Sequence, residues 1–125
     1  MGRLVRLNEA LPIARAIELI KEHLKLKNVR LATSDTGRSI QTIGICAGSG
    51  ASLLKNIKAD LFLTGEMSHH EVLDAVHSGT HVILCEHSNT GRGFLLKWKE
   101  TIQAALGDGV KITVSTVDRD PLEIV

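Results

Sequence analysis

The feature that most constrains the fold is a regular alternation of short apolar segments with helical patterns, which begins at residue 40. Apolar strands are predicted at 40–46, 60–64, 81–86 and 110–117. Helical patterns follow the first three of these strands, at 51–59, 68–78 and 90–106. Strands that alternate with helices need crossover connections, and crossover connections produce parallel strand pairs. The sequence therefore predicts an α/β fold with a mainly parallel sheet and crossover helices packed on it.

The residues around this alternating region complete the predicted domain. Residues 11–25 carry apolar side chains at three- and four-residue spacing, which is typical of a half-buried helix. Residues 29–33 are a predicted strand, and the strand at 110–117 is free to run antiparallel at the sheet margin. We therefore expect a single α/β domain over residues 1–125. Its tail, 119–125, ends on apolar residues, which require a docking surface.

Composition limits the classes of protein to which the chain can belong. Hydrophobic residues make up 43% of the 125 residues and charged residues 23%, which disfavours intrinsic disorder. A net charge of +1, two Phe and one Trp disfavour a nucleic-acid-binding module, although "KEHLKLK" (21–27) is weakly basic. No signal peptide or membrane-spanning run is recognised. Cys46 and Cys85 lie in apolar runs, which predicts buried, reduced thiols and an intracellular protein without membrane attachment.

A binding site is expected where the parallel strands end, because α/β sheets bind ligands at the carboxyl ends of their strands. Three loops meet at this edge, "AGSGAS" (47–52), "TGEMSHH" (64–70) and "EHSNTGRG" (86–93). The glycines of the first loop fit a tight turn with positive φ, and they also fit a weak anion cradle at a helix N-terminus. The ligand- or anion-binding candidates are Gly48, Ser49, Gly50, Thr64, Glu66, Ser88, Asn89 and Thr90.

The histidines outside the third loop receive structural interpretations. "SHHE" (68–71) matches a capping box, which predicts the start of a helix. His69 precedes apolar residues by one turn and is therefore expected to face the sheet, whereas the adjacent His70 cannot easily share a metal with it. His23, His77 and His81 are expected at the surface or in loops. Neither cysteine, nor Ser49, stands in a nucleophile motif, so no catalytic residue is assigned.

Two long motifs carry a resemblance to a known family. The run "ADLFLTGEMSHHEVLDAV" and the later run "GTHVILCEHSNTGRGFL" resemble the carboxy-terminal half of the NIF-three-like family, also known as the GTP cyclohydrolase I type 2 homologues. Eukaryotic members are the most similar. The resemblance extends from about residue 46 to residue 125, and more loosely to the 11–25 helix. It implies one half of a two-lobed α/β fold and association into homo-oligomers.

The resemblance also implies a two-metal centre between the two halves. Its ligands in the family are a His-His pair and an Asp in the amino-terminal half, and a His-x-x-x-Glu motif near the end. His87 matches the histidine of that motif, but Gly91 stands where the family pattern has glutamate. No segment here resembles the amino-terminal half. The family's divalent metal is therefore expected to bind weakly or not at all to this chain, which fits a metal-poor remnant, a truncated form or an isoform.

These observations support two functional hypotheses. The first is a non-catalytic regulatory protein that contacts other proteins, since the resemblance implies transcriptional co-repression, in nucleus and cytoplasm, for eukaryotic members. The alternative is a metal-dependent hydrolase of a nucleotide-like or phosphorylated small molecule, which Thr64, Glu66 and His87 at one edge would serve. We also expect self-association, because a surface that faces another half in the family should expose apolar area here.

Overall fold

The computed structural model describes residues 1–123, and a five-stranded sheet forms its centre. The strands are β1 (Arg3–Leu11), β2 (Arg30–Ala32), β3 (Ile40–Ser49), β4 (Leu61–Glu66) and β5 (His81–Leu84). The helices are α1 (Ile13–Leu24), α2 (Ala51–Leu54), α3 (His69–His77), α4 (Asn89–Arg92) and α5 (Phe94–Leu106), and a 3₁₀ turn follows at Gly107–Gly109. The strand order is β1-β3-β4-β5-β2.

The three central strands, β3, β4 and β5, are parallel, and the two edge strands are antiparallel to their neighbours. The predicted α/β class is therefore confirmed, with crossover helices α2 and α3 between successive parallel strands. The parallel character is restricted to the centre of the sheet. β5 lies between β4 and β2 and is buried along its whole length, so the predicted interior position of the 81–86 segment is also confirmed.

β1 is a strand that the sequence did not indicate. It pairs antiparallel with β3, with Arg3 opposite Ile45 and Arg6 opposite Thr42. Most of its residues are exposed, because it lies at the sheet edge and covers little of the core. Exposed charged side chains are usual on edge strands, where they discourage pairing with other chains. The pattern of a buried strand was therefore missing from this segment.

The predicted strand at 110–117 is wrong, since these residues form no strand in the structure. Both edges of the sheet are already occupied, by β1 and β2. The segment instead follows α5, where the side-chain amide of Gln103 donates to the carbonyl oxygens of Gly107 and Val110, at 2.7 and 2.9 Å. The apolar end of the tail, Ile124 and Val125, lies outside the described residues.

The helices follow the predicted positions with three differences. α1 begins after Pro12, and α2 stops at Leu54, well before the predicted end at 59. The helix predicted at 90–106 is divided at Gly93 into α4 and α5. α3 begins with the predicted capping box. The Ser68 hydroxyl accepts from the backbone N–H of Glu71, and the Glu71 carboxylate accepts from that of Ser68.

The core consists of two apolar clusters, one on each face of the sheet. One face packs Leu54, Phe62 and Ala75 under α2 and α3. The other packs Ile40 and Leu61 under α1. The sheet is thus covered on both sides, as parallel strands require. Across residues 1–123, no helix is both long and apolar enough to cross a membrane.

Candidate functional site

The carboxyl ends of β3, β4 and β5 bring three loops together, as predicted for a parallel sheet. β3 ends in Gly48-Ser49 and leads through Gly50 into α2, β4 ends at Glu66, and His87 follows β5 by three residues. Two of the predicted site residues, Glu66 and His87, are in direct contact. The Glu66 Oε1 atom lies 2.7 Å from His87 Nδ1.

The His87–Glu66 pair is open to solvent. The side chain of His87 is 60% exposed and that of Glu66 is 50% exposed. Glu66 ends β4 and His87 follows β5 closely, so the backbone of both residues is fixed while their polar side-chain atoms stay accessible. Such an exposed contact, which is an ion pair only when His87 is protonated, contributes little to folding, usually less than about 1 kcal/mol. The pair is therefore better explained as polar groups available to bind a ligand than as a contact that stabilises the fold.

Gly48 is placed against the imidazole of His87. A Cβ atom at Gly48 would lie 3.0 Å from His87 Nε2 and 3.1 Å from Cε1, so any side chain would displace the ring. Gly48 also has φ +69, which glycine adopts without strain. The predicted positive φ is thus present at Gly48, but this residue lies within β3 at a register shift and not in a tight turn. Gly50 has φ −92 and needs no glycine for its dihedrals, but a Cβ there would meet the Thr64 side chain.

Gly65 is the residue of this edge that sequence reasoning missed. A Cβ at Gly65 would lie 2.7 Å from the carbonyl oxygen of Gly48, 2.9 Å from that of Glu86 and 2.9 Å from the Cα of His87. All three atoms belong to the backbone and cannot rotate away. The first, second and third loops therefore meet at this glycine. The sequence feature that could have identified Gly65 is its position within Thr-Gly-Glu at the end of a predicted strand.

Two threonines bond the loops to one another. The Thr90 hydroxyl accepts from the backbone N–H of Gly48 and donates to the carbonyl oxygen of His87, both at 2.8 Å. The buried Thr64 hydroxyl donates to the Gly48 carbonyl at 3.0 Å. Because Thr90 occupies the Gly48 N–H, that group is not free to bind an anion. An anion cradle would have to use other amides of this loop.

The remaining candidates of the third loop have mainly local roles. The Asn89 side chain donates to the Cys85 carbonyl at 2.9 Å and accepts from Arg92. Arg92 also donates to Asp118, at 2.7 Å, which ties the C-terminal segment to α4. Ser88 precedes α4 but makes no side-chain cap bond. In the first loop, the predicted candidate Ser49 is exposed.

The described residues do not by themselves fit a metal centre. Gly91 is exposed and a Cβ there would meet nothing within 4 Å, so the position has room for a ligand side chain but provides none. Within residues 1–123, no group of three or more His, Cys, Asp or Glu side chains is arranged to hold a metal ion. Stable protein zinc sites use three or four protein ligands. His87 and Glu66 offer two donors at most.

The structure corrects two predictions about histidines and supports the interpretation of the cysteines. His69 is exposed rather than packed on the sheet, since α3 turns Ala75 to the core. His81, predicted at the surface, is buried because the segment after β2 covers it. Both cysteines are buried and free. Burial, and then the neighbouring Glu86, raise the pKa of the Cys85 thiol to about 11, which makes a nucleophilic role unfavourable.

Sequence comparison relates the chain to one family along most of its length. The family model described as Duf34/NIF3 (NGG1p interacting factor 3) matches residues 1–121. The chain is 51% identical to NIF3-like protein 1 of Rattus norvegicus and 49% identical to that of Homo sapiens, covering 100% of this chain and 34% of each relative. NGG1-interacting factor 3 of Saccharomyces cerevisiae is 37% identical, over 98% of this chain and 44% of the relative. The chain thus spans less than half the length of these curated relatives.

Solved structures show the same fold. A Bacillus cereus protein related to NIF3 superposes with a TM-score of 0.79 at 23% identity, over 100% of this chain and 36% of that one. The Staphylococcus aureus protein SA1388 gives a TM-score of 0.77 at 23% identity, over 100% of this chain and 42% of that one. These similarities confirm the α/β fold and show that it recurs as one part of longer chains.

Proposed function

Because the chain belongs to the Duf34/NIF3 family, we propose that it is a non-catalytic regulatory member that acts through contacts with other proteins. The observation that carries the proposal is Gly91, a residue without a ligating atom at the position where the family resemblance predicts glutamate. Within residues 1–123, His87 contacts one potential metal-ligating side chain, that of Glu66, at 2.7 Å. The chain covers 34% of the length of its rat and human relatives, and the activity of the whole protein is part of this proposal.

Protein contact is supported by a second feature, the exposed apolar side chains of α5. No residue of this helix is buried, and Phe94, Leu96 and Trp98 are each more than half exposed. Phe94 and Trp98 are four residues apart and therefore lie on one face of the helix, and exposed apolar residues close together favour association with another protein surface. The name of the yeast relative, NGG1-interacting factor 3, indicates such a contact for that protein. We propose an equivalent transcription-related partner here, with a nuclear as well as a cytoplasmic location.

Metal titration tests the non-catalytic part of this proposal. Wild type, Gly91→Glu, Gly91→Gln and the double variant Gly91→Glu/His87→Ala are titrated calorimetrically with Mn²⁺ and with Zn²⁺. We expect weak binding by wild type and tighter binding by Gly91→Glu, because its carboxylate lies four residues from His87, in open space. Gly91→Gln is the control for side-chain size without charge.

Three results of this titration would contradict the proposal or its assignment of the metal ligands. Tight binding of one metal per wild-type chain would show that a complete site exists. Equal binding by Gly91→Glu and by the double variant would show that His87 is not the ligand. Unchanged weak binding by all four proteins would likewise reject the assignment of position 91 as the lost ligand.

Binding to NGG1 tests the protein-contact part. Immobilised yeast NGG1 is exposed to this chain, and we expect saturable binding that Trp98→Ala and Phe94→Ala weaken. Lys97→Ala, a change of an exposed charged residue on the same helix, is the matched control and should bind as wild type does. Light scattering on the same samples measures self-association, which we also propose. A monodisperse monomer at micromolar concentration would contradict that part, and no binding to NGG1 would contradict the partner.

The alternative function is metal-dependent hydrolysis of a phosphorylated or nucleotide-like small molecule. The specific observation in its favour is the His87–Glu66 pair at the carboxyl edge of the parallel strands, where α/β sheets hold their ligands. A divalent ion would polarise a phosphoryl oxygen or activate water there. Tight metal binding by wild type, followed by release of phosphate from a nucleotide, would favour this alternative over the regulatory proposal.

A further inference from the structure

The contact between Glu66 and His87 determines which ring nitrogen of the histidine is free. Nδ1 of His87 lies 2.7 Å from Glu66 Oε1. A carboxylate only accepts hydrogen bonds, so the hydrogen in this bond must be carried by Nδ1. A neutral imidazole carries one N–H, and the other nitrogen then has a free lone pair. With Glu66 ionised and His87 neutral, the lone pair is on Nε2.

The surroundings of the ring leave this lone pair accessible. Gly48 lies over the face of the ring, because a Cβ at this position would be 3.0, 3.1 and 3.6 Å from Nε2, Cε1 and Cδ2 of His87. The direction of the lone pair, in the ring plane, is therefore not blocked by Gly48. The side chain of His87 is 60% exposed. The backbone of His87 is fixed by Thr90, whose hydroxyl donates to its carbonyl oxygen.

We propose that Glu66 is a positioning residue that holds His87 in the Nδ1–H tautomer and so presents Nε2 as the free, unprotonated nitrogen of the ring. Glu66 then cannot serve as a second ligand for an ion on Nε2, because the two ring nitrogens point in different directions. The same arrangement, in which a carboxylate accepts from one nitrogen of a histidine and fixes the other, is common around protein metal sites. This inference concerns the ring itself and is independent of whether the chain is catalytic.

The tautomer is measured directly by nitrogen-15 NMR of the histidine side chains in the full 125-residue chain. Spectra are recorded at an alkaline pH where ordinary imidazoles are neutral, and His87→Gln identifies the His87 signals. We expect protonated Nδ1 and unprotonated Nε2 in wild type. Glu66→Ala should change the tautomer ratio by about fivefold toward Nε2–H, the size expected for a charge-assisted bond between half-exposed groups.

Two variants separate positioning from a general structural effect. Glu66→Gln keeps an acceptor oxygen and should retain most of the Nδ1–H tautomer. Glu100→Gln changes an exposed glutamate elsewhere and should leave the His87 signals unchanged. Backbone amide spectra of each variant show whether it is folded. If Glu66→Ala does not fold, the wild-type spectrum still tests the proposal, because a proton on Nε2 in wild type overturns it.

Zinc titration supplies the second measurement. We expect the added ion to shift the Nε2 signal of wild-type His87 while Nδ1 keeps its proton. The proposal is overturned if wild type carries its proton on Nε2 or on both nitrogens, if Glu66→Ala leaves the ratio unchanged, or if zinc binds Nδ1 and displaces Glu66. An intact regulatory function would be compatible with either outcome, so failure here is distinguishable from failure of the proposed function.

Discussion

Two histidines lie at opposite ends of the same strand and have opposite environments. His81 is the first residue of β5 and only 5% of it is exposed, whereas His87 follows the end of the strand with its side chain 60% exposed. The Nδ1 atom of His81 accepts from the backbone N–H of Ser34, at 3.2 Å. The Nδ1 atom of His87 contacts the side chain of Glu66. The buried ring of His81 therefore accepts a hydrogen bond from the backbone, whereas the exposed ring of His87 contacts another exposed side chain.

Other polar groups near the amino ends of the parallel strands also form hydrogen bonds within the protein, as His81 does. The Thr80 hydroxyl donates to the Ala59 carbonyl at 2.8 Å, and the Ser34 hydroxyl donates to the Gly79 carbonyl at 3.2 Å. Asp60 accepts from the backbone N–H groups of Gln41 and Thr42. Polar groups at this end are thus paired with the protein itself. Such pairing stabilises the fold and leaves little capacity for a ligand.

The comparison teaches that the two ends of the parallel strands have different uses. At the amino end, polar side chains join neighbouring strands and loops. At the carboxyl end, the backbone of Gly48, Gly65 and His87 is tightly packed, but the side chains of His87 and Glu66 remain accessible. A rigid backbone beneath accessible polar groups is the arrangement that binding sites need. Three mutational tests follow, in order of expected effect.

Gly65→Ala should have the largest effect, because it tests the packed backbone beneath the carboxyl edge. Its Cβ would clash with three backbone atoms of two other loops, and we expect a loss of about 3 kcal/mol in the free energy of unfolding. Urea denaturation measures it. Gly91→Ala is the control, since a Cβ there meets nothing, and it should be neutral or stabilise by up to about 1 kcal/mol. Equal effects of the two variants would mean that this edge is not packed.

Substitution of the two histidines tests the comparison itself. His81→Ala removes the acceptor of the Ser34 N–H and leaves a buried space, and we expect a loss of about 2 kcal/mol. His87→Ala removes an exposed side chain, and we expect a change within about 0.5 kcal/mol. Both values come from the same urea titration. A larger effect of His87→Ala would show that the exposed pair stabilises the fold after all.

Acid titration tests the hydrogen bonds at the amino ends of the parallel strands, and it has the smallest expected effect of the three tests. Burial raises the pKa of Asp60, but hydrogen bonds from the Thr42 hydroxyl and the Gln41 and Thr42 amides together lower it below the ordinary value of 3.8. The folded chain therefore holds this proton less tightly than the unfolded chain. The resulting stability is present above pH 3.8 and is lost as the pH falls through the lower, folded pKa.

Asp60→Asn provides the measurement for this pH dependence. The variant should lose about 1 kcal/mol of stability at neutral pH and show a shallower fall in stability on acidification than wild type. Asp74→Asn, which changes an exposed carboxylate of α3, is the control and should follow the wild-type curve. Parallel curves for Asp60→Asn and wild type below pH 3.8 would contradict the role of this carboxylate.

The sequence predicted what depends on hydrophobic periodicity. The parallel strands at 40–46, 60–64 and 81–86 and the capping box of α3 were all recognised, because burial on both faces and a local cap leave direct patterns. Of the two edge strands, β2 was recognised at 29–33, whereas the mostly exposed β1 was missed and an edge strand was placed at 110–117 instead. Length and alternation alone did not distinguish a half-exposed strand from an extended segment along a helix.

Candidate site residues were placed correctly at one edge, but their contacts were not predicted. Strand order and direction sufficed to bring Glu66 and His87 to the same side of the molecule. Their bond depends on side-chain geometry, as does the role of Thr90 between the first and third loops. The burial of His81 also had no local signal, because it results from a segment that is 47 residues distant in sequence.

The burial of both cysteines makes the protein convenient for spectroscopic labelling. Cys46 and Cys85 are 4% and 1% exposed, and the Cys85 thiol stays protonated well above neutral pH. Maleimide dyes react with exposed thiolates, so the folded native chain should be almost unreactive. A single cysteine introduced at an exposed position, such as Ser49→Cys beside the His87 loop, would then accept one fluorophore without removal of the native thiols. Changes in the surroundings of the first loop would then become measurable by the fluorescence of this single label.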